Sequence, residues 1–113
     1  MTKKVILTEE RISHIEEHHT ENDVRLVKKY AKKVLKNPKY ILEDNNKKRT
    51  NTGLVISWIK EKGKIFPLLI VLRMKRKTDN KKYKNSIISG WEISGETLEK
   101  MKKTHKILYK KEN

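Results

Sequence analysis

The sequence predicts an α+β domain in which N-terminal helices pack on a mostly antiparallel sheet of four to five strands. Three observations predict it. Apolar residues recur at helical spacing early in the chain and at period two later. Turn residues separate the later apolar runs at hairpin distances. The 113 residues contain no internal repeat and no linker rich in proline, glycine or serine, so 1–113 is read as one domain able to bury a core without disulfides or metal.

Thr8 is suited to cap a first helix, with Glu9 and Glu10 in its opening turn where carboxylates favour the helix dipole, and Ile12 and Ile15 as apolar anchors. After a break at 20–22, a second helix is expected from near Asp23. Val27, Tyr30, Ala31, Val34 and Leu35 form its apolar stripe, and Lys28, Lys29, Lys32 and Lys33 point elsewhere. Asn37 before Pro38 ends it, because a residue preceding proline disfavours the helical region.

The remaining elements are strands with one exception. "KYILED" (39–44) is a short strand. "GLVISWIK" (53–60) and "KIFPLLIVLRMK" (64–75) flank Glu61, Lys62 and Gly63 and read as a hairpin. Pro67 has no amide donor and is expected at an unpaired position near the start of the second strand. "SIISGWEI" (86–93) is a fourth strand, Ser94 caps a short helix to about Lys103, and "KILYK" (106–110) closes the sheet. The helices are expected on one face. The lysine-rich "KRKTDNKKYKN" (75–85) reads as a basic loop.

Charge is the dominant compositional feature: 29 basic residues against 14 acidic leave a formal net charge of +15. Such a domain attracts polyanions, and nucleic acid is the commonest of them; an anionic membrane surface or an acidic protein is the alternative. Cysteine is absent, which excludes thiolate chemistry, disulfides and cysteine-based zinc sites. The longest apolar run, "IFPLLIVL" (65–72), is too short to cross a bilayer, and no signal peptide is recognisable, so a soluble chain is expected. The four glycines are scattered and form no phosphate-binding loop.

"RISHIEEHHT" (11–20) holds three of the four histidines. At about 100° per residue, with Ile12 as the origin, Ile15 lies at about 300° and His19 at about 340°, on the apolar side; His14 and His18 fall at about 200° and 240°. His14 and His18 are spaced to hold zinc, but Ile15 stands where a zinc peptidase helix has its glutamate and no third ligand is evident, so metal is disfavoured. His19 is either bonded to a backbone carbonyl at a helix end or a proton shuttle for a nearby phosphate.

Strand alternation sets Arg73 and Lys75 on the side of Leu69 and Val71, as a solvated strand end or as anion ligands. By the same rule Ser89 falls in the apolar row of Ile87, Trp91 and Ile93, either bonded to a neighbour across the sheet or free for a ligand, and Tyr109 shares a face with Ile107, as core or as a ligand donor.

"LTEERISHIEEHH", "LKNPKYILED", "YKNSIISGWEI" and "KILYKK" together resemble, in order and spacing over nearly the whole chain, the phage-associated branch of the barnase/EndoU/colicin/RelE-like (BECR) nuclease fold. The resemblance implies helices on a four-stranded antiparallel sheet and a metal-independent, cofactor-free ribonuclease of bacterial toxins, phage and mobile elements. Its site of action would be cytoplasmic, reached from another cell or by expression from a mobile element. His14 and His19 match the histidines of the family's opening helix, while His18 stands where arginine is more usual. Ser89 replaces a more usual threonine, and Tyr109 with Lys110 match the closing motif.

Metal-free RNA cleavage by the ribose 2′-OH needs a base, an acid for the departing 5′-oxygen, and cations for the phosphorane. His19 is the leading base or acid, and His14 its partner or a phosphate contact. Ser89 and Tyr109 are the expected donors to the phosphate, and Arg73, Lys75, Lys84 and Lys110 the expected substrate contacts. RNA, with tRNA a candidate, is the expected substrate, and an acidic immunity or antitoxin protein the expected partner. The rival readings are a nucleic-acid-binding module without catalysis and a basic protein that binds an acidic partner.

Overall fold

The computed structural model describes residues 5–6, 20–45, 52–73 and 85–111. The expected first helix, with His14, His18 and His19, and the lysines at 75 and 84 lie outside these residues.

In chain order the elements are β1 (Val5–Ile6), α1 (Glu21–Lys36), β2 (Tyr40–Glu43), β3 (Thr52–Glu61), β4 (Lys64–Arg73), β5 (Asn85–Glu92), α2 (Gly95–Thr104) and β6 (Ile107–Lys110). They form one six-stranded sheet in the order β1-β5-β4-β3-β2-β6. β2 to β6 pair antiparallel, and the two-residue β1 adds to β5 in parallel. The expected α+β architecture is therefore present, with one short strand that period-two patterning had not indicated.

α1 begins two residues earlier than expected because Thr20 is its N-cap rather than part of a break. The Thr20 hydroxyl accepts from the Asp23 amide at 3.1 Å, and the Asp23 carboxylate accepts from the Thr20 amide at 3.3 Å, a reciprocal capping box. The same carboxylate accepts the Glu92 amide at 3.1 Å, which ties the start of α1 to the end of β5. Val24, Val27, Ala31, Val34 and Leu35 of α1 are buried against the sheet.

The β3–β4 hairpin is the centre of the fold. Its turn is Lys62 and Gly63, both with positive φ (51° and 78°), the geometry that matches the twist of adjoining strands. The register runs from Glu61 opposite Lys64 to Thr52 opposite Arg73. The ladder to β5 starts one residue after Pro67, whose carbonyl accepts the Ile93 amide at 3.1 Å, so the missing proline donor falls at the beginning of the pairing.

Because opposed residues share a face, the sheet has two separate cores. Val55, Ile59, Phe66, Leu68, Ile70 and Leu72 pack under α1. Tyr40, Leu42, Leu54, Ile56, Leu69 and Val71 pack on the other side with Leu98 and the partly buried Met101 of α2. The helices therefore cover opposite faces rather than one. β4 shows why: it is buried at every position from Phe66 to Leu72, as a strand covered on both sides must be. Among the described residues, no helix is long and apolar enough to cross a membrane.

Gly90 is opposite Ile70 on the α1 face. A methyl group there would lie 2.7 Å from the Val27 side chain and 3.0 Å from the Leu69 carbonyl, so the absent side chain is what lets α1 lie close over β5.

Candidate functional site

Two irregularities in the strands decide where the candidate residues point. Between Val71 and Leu72 the β4–β5 register slips: Val71 faces Ser89, but Leu72 faces Ile87, leaving Ile88 as the extra residue of a bulge. Ile87 consequently joins the core under α1, whereas Ser89 and Trp91 turn to the α2 face. The simple alternation that puts Ser89 in one row with Ile87 is interrupted by this bulge. Ser89 keeps its expected company with Trp91 and Ile93.

The β2–β6 ladder slips in the same way. Tyr109 is opposite Ile41 and Ile107 opposite Leu42, with Leu108 between them. Ile41 and Leu42 belong to different cores, so Tyr109 lies on the α1 face and Ile107 on the α2 face. The expectation that they share a face is corrected by that one inserted residue.

Ser89 is only 2% exposed, and its hydroxyl makes no hydrogen bond, the one buried side-chain polar atom among the described residues in that state. A buried hydroxyl without a partner costs about 1–3 kcal/mol, so such an atom invites a functional explanation. Arg73 sits on the same face, two residues beyond the Val71 that opposes Ser89, and is exposed. It is opposed by Ser86 on β5 and Thr52 on β3, and the Thr52 hydroxyl donates to Asp44 at 2.8 Å. Ser89, Arg73 and Ser86 thus gather hydroxyls and a cation at the end of the β4–β5 pair.

Tyr109 and Lys110 do not join them. β6 is four strand spacings from β5, about 19 Å, and Tyr109 is on the opposite face from Ser89. Tyr109 and Ser89 therefore cannot contact a single phosphate in this arrangement, and Lys110, opposite Tyr40, stands at the same distant edge.

A second polar cluster, missed by sequence reasoning, lies at the other end of the hairpin under α1. The Glu61 carboxylate accepts from both terminal nitrogens of Arg25 (2.6 and 3.1 Å), from the Tyr30 hydroxyl (2.6 Å) and from Lys29 (3.4 Å). These bonds, Arg25 first and Tyr30 second, hold the Glu61 pKa down at about 2. Arg25 is correspondingly raised by its bond to Glu61, and Lys29 by the Tyr30 hydroxyl and then Glu61. A groove of about 210 Å³ opens beside this cluster, with Lys64 and Glu92 on its wall joined at 3.0 Å. Arg25 and Lys29 pair with Glu61 and Lys64 pairs with Glu92, and the Glu61 bonds fasten α1 to the hairpin. The sequence signal was available in the i, i+4, i+5 spacing of Arg25, Lys29 and Tyr30, but nothing local connects those residues to a glutamate 36 positions after Arg25.

His105, the remaining histidine, has a structural task. Its Nδ1 lies 2.8 Å from the Glu43 carbonyl, and because a carbonyl can only accept, Nδ1 carries the proton and donates. This bond closes the end of α2 onto β2.

No family model, curated protein or solved structure matches this chain.

Proposed function

We propose that this chain is a metal-independent endoribonuclease of the toxin type. The observation that carries the reading is the charge, 29 basic residues against 14 acidic in so small a domain, which suits a polyanionic substrate. The whole-length resemblance to the BECR nucleases adds the chemistry. The buried, unpartnered Ser89 hydroxyl, on the same face as Arg73, supports a phosphate contact at the end of β4 and β5.

In this reading the ribose 2′-oxygen attacks phosphorus and forms the O2′–P bond while the P–O5′ bond breaks. One of His19 and His14 takes the 2′-OH proton and the other supplies a proton to O5′, leaving a 2′,3′-cyclic phosphate and a 5′-hydroxyl. Arg73, with Ser89 as donor, stabilises the negative charge that builds on the phosphorane's non-bridging oxygens. Lys75 and Lys84 guide the RNA backbone.

A second reading, a basic RNA-binding module that does not cut, is favoured by the distance between Ser89 and Tyr109, which divides the expected phosphate donors between β5 and the edge strand β6, four strand spacings away. One experiment separates the two. The chain is incubated with total tRNA in excess chelator, beside His19→Ala. Cleavage that disappears in the variant supports the ribonuclease; RNA left intact but retained in a complex that weakens steeply with salt supports the binding module.

A further inference from the structure

β6 has an unusual surface. It ends the sheet, paired to β2 on one side and with no strand on the other among the described residues. All four of its residues are exposed, three of them large and apolar or aromatic: Ile107 is 41% exposed, Leu108 54% and Tyr109 44%. The bulge at Leu108 distributes these side chains over both faces, so the strand offers apolar contacts above and below an open edge. An open edge supplies unpaired backbone donors and acceptors to another extended chain, while side-chain pockets and contacts add selectivity.

Charge selects the occupant. Lys106, Lys110 and Lys111 are exposed along the same segment, with Glu43 the exposed acid on the neighbouring β2. A second copy docked antiparallel about Leu108 would set Lys106 against Lys110 at both ends, and directly opposed like charges destabilise a strand pair. Two domains each of net charge +15 repel one another as well. The lysines that protect the edge from its own kind leave it open to an acidic strand.

We propose that β6 is a docking edge for an extended acidic segment of a partner protein, which adds to the sheet as a seventh strand beside β6. This inference is independent of RNA cleavage. It gives Tyr109 and Lys110 a role at the far edge of the sheet, away from Ser89.

The test uses the full chain labelled with ¹⁵N and a strand-forming peptide of alternating glutamate and valine, read by backbone amide shifts. The expected result is saturable shifts centred on residues 106–111, absent with a peptide of alternating lysine and valine, and affinity lowered roughly tenfold or more in the Lys106→Glu/Lys110→Glu variant. Because both lysines are exposed, that variant keeps the circular dichroism of the parent; the comparison of the two peptides on the unaltered chain stands without it. Shifts that are absent, equal for both peptides or centred elsewhere overturn the proposal. So does a free chain that sediments as a dimer through β6, or an RNA oligonucleotide that moves the β6 amides when the acidic peptide does not.

Discussion

The two faces of the sheet handle buried polarity differently. Under α1 the exposed end of the hairpin is closed by Glu61, whose carboxylate accepts four hydrogen bonds from Arg25, Lys29 and Tyr30. On the α2 face a hydroxyl at Ser89 is buried and bonded to nothing among the described residues. The first is a fastening in which each charge is answered, and its removal should cost stability. The second carries a desolvation cost that no hydrogen bond offsets.

The largest effect should come from the point where the two faces meet in sequence. Gly90 follows Ser89 and points the other way, into the close approach of α1. Gly90→Val would force Val27 and the Leu69 carbonyl aside and should lower stability by about 3 kcal/mol, seen as a lower denaturation midpoint. A variant as stable as the parent would mean that α1 does not lie close over β5.

Next comes the Glu61 fastening. Its pKa is depressed to about 2 from an ordinary 4.5, so its contribution is complete above the unfolded value and is lost as pH falls through the folded one. Melting temperature in the parent should therefore drop between about pH 4.5 and pH 2 more than it does in Glu61→Gln. At neutral pH the variant should be the less stable of the two. Parallel acid profiles would show that the Glu61 bonds do not form in solution.

Ser89→Ala should behave in the opposite sense, gaining about 1 kcal/mol in chemical denaturation because an unsatisfied hydroxyl is removed. Its RNA cleavage, under the proposed function, should fall by about tenfold. If stability falls, the hydroxyl has a partner after all and the contrast between the faces is lost. The smallest change is expected at the turn, where Lys62 has φ of 51°. Asparagine tolerates that region better, so Lys62→Asn should add about 0.5 kcal/mol, within reach of careful urea titrations.

Much of this fold could be read from residue patterns. The hairpin, the apolar stripe of α1 and the strands at β2, β5 and β6 all follow from periodicity and turn residues. The errors in which way strand residues face have a common origin in one-residue events. A single inserted residue at Ile88 and another at Leu108 reverse the facing of what precedes or follows, and strict alternation has no means of detecting them. Gly90 inside a strand was the available hint of irregularity and close approach.

The opposite placement of α2 was also foreshadowed. A strand as continuously apolar as 65–72 needs cover on both faces, and one layer of helices cannot supply it. The Glu61 cluster was less accessible, since it joins residues more than 30 positions apart whose pairing exists only once α1 is seated. For the candidate site, residue type and spacing nominated Ser89 and Arg73 at one end of β4 and β5, but could not reveal that Tyr109 and Lys110 stand at the other edge of the sheet.

The proposed function is RNA cleavage through the ribose 2′-hydroxyl. Its most direct measurement compares one RNA with its DNA counterpart of the same sequence, each incubated with the chain in excess chelator, with the ends of any fragments identified by phosphorus NMR and mass spectrometry. The RNA alone should be cut, and its fragments should carry 2′,3′-cyclic phosphate. Cleavage of both strands, or 5′-phosphate ends, or RNA recovered whole would contradict it.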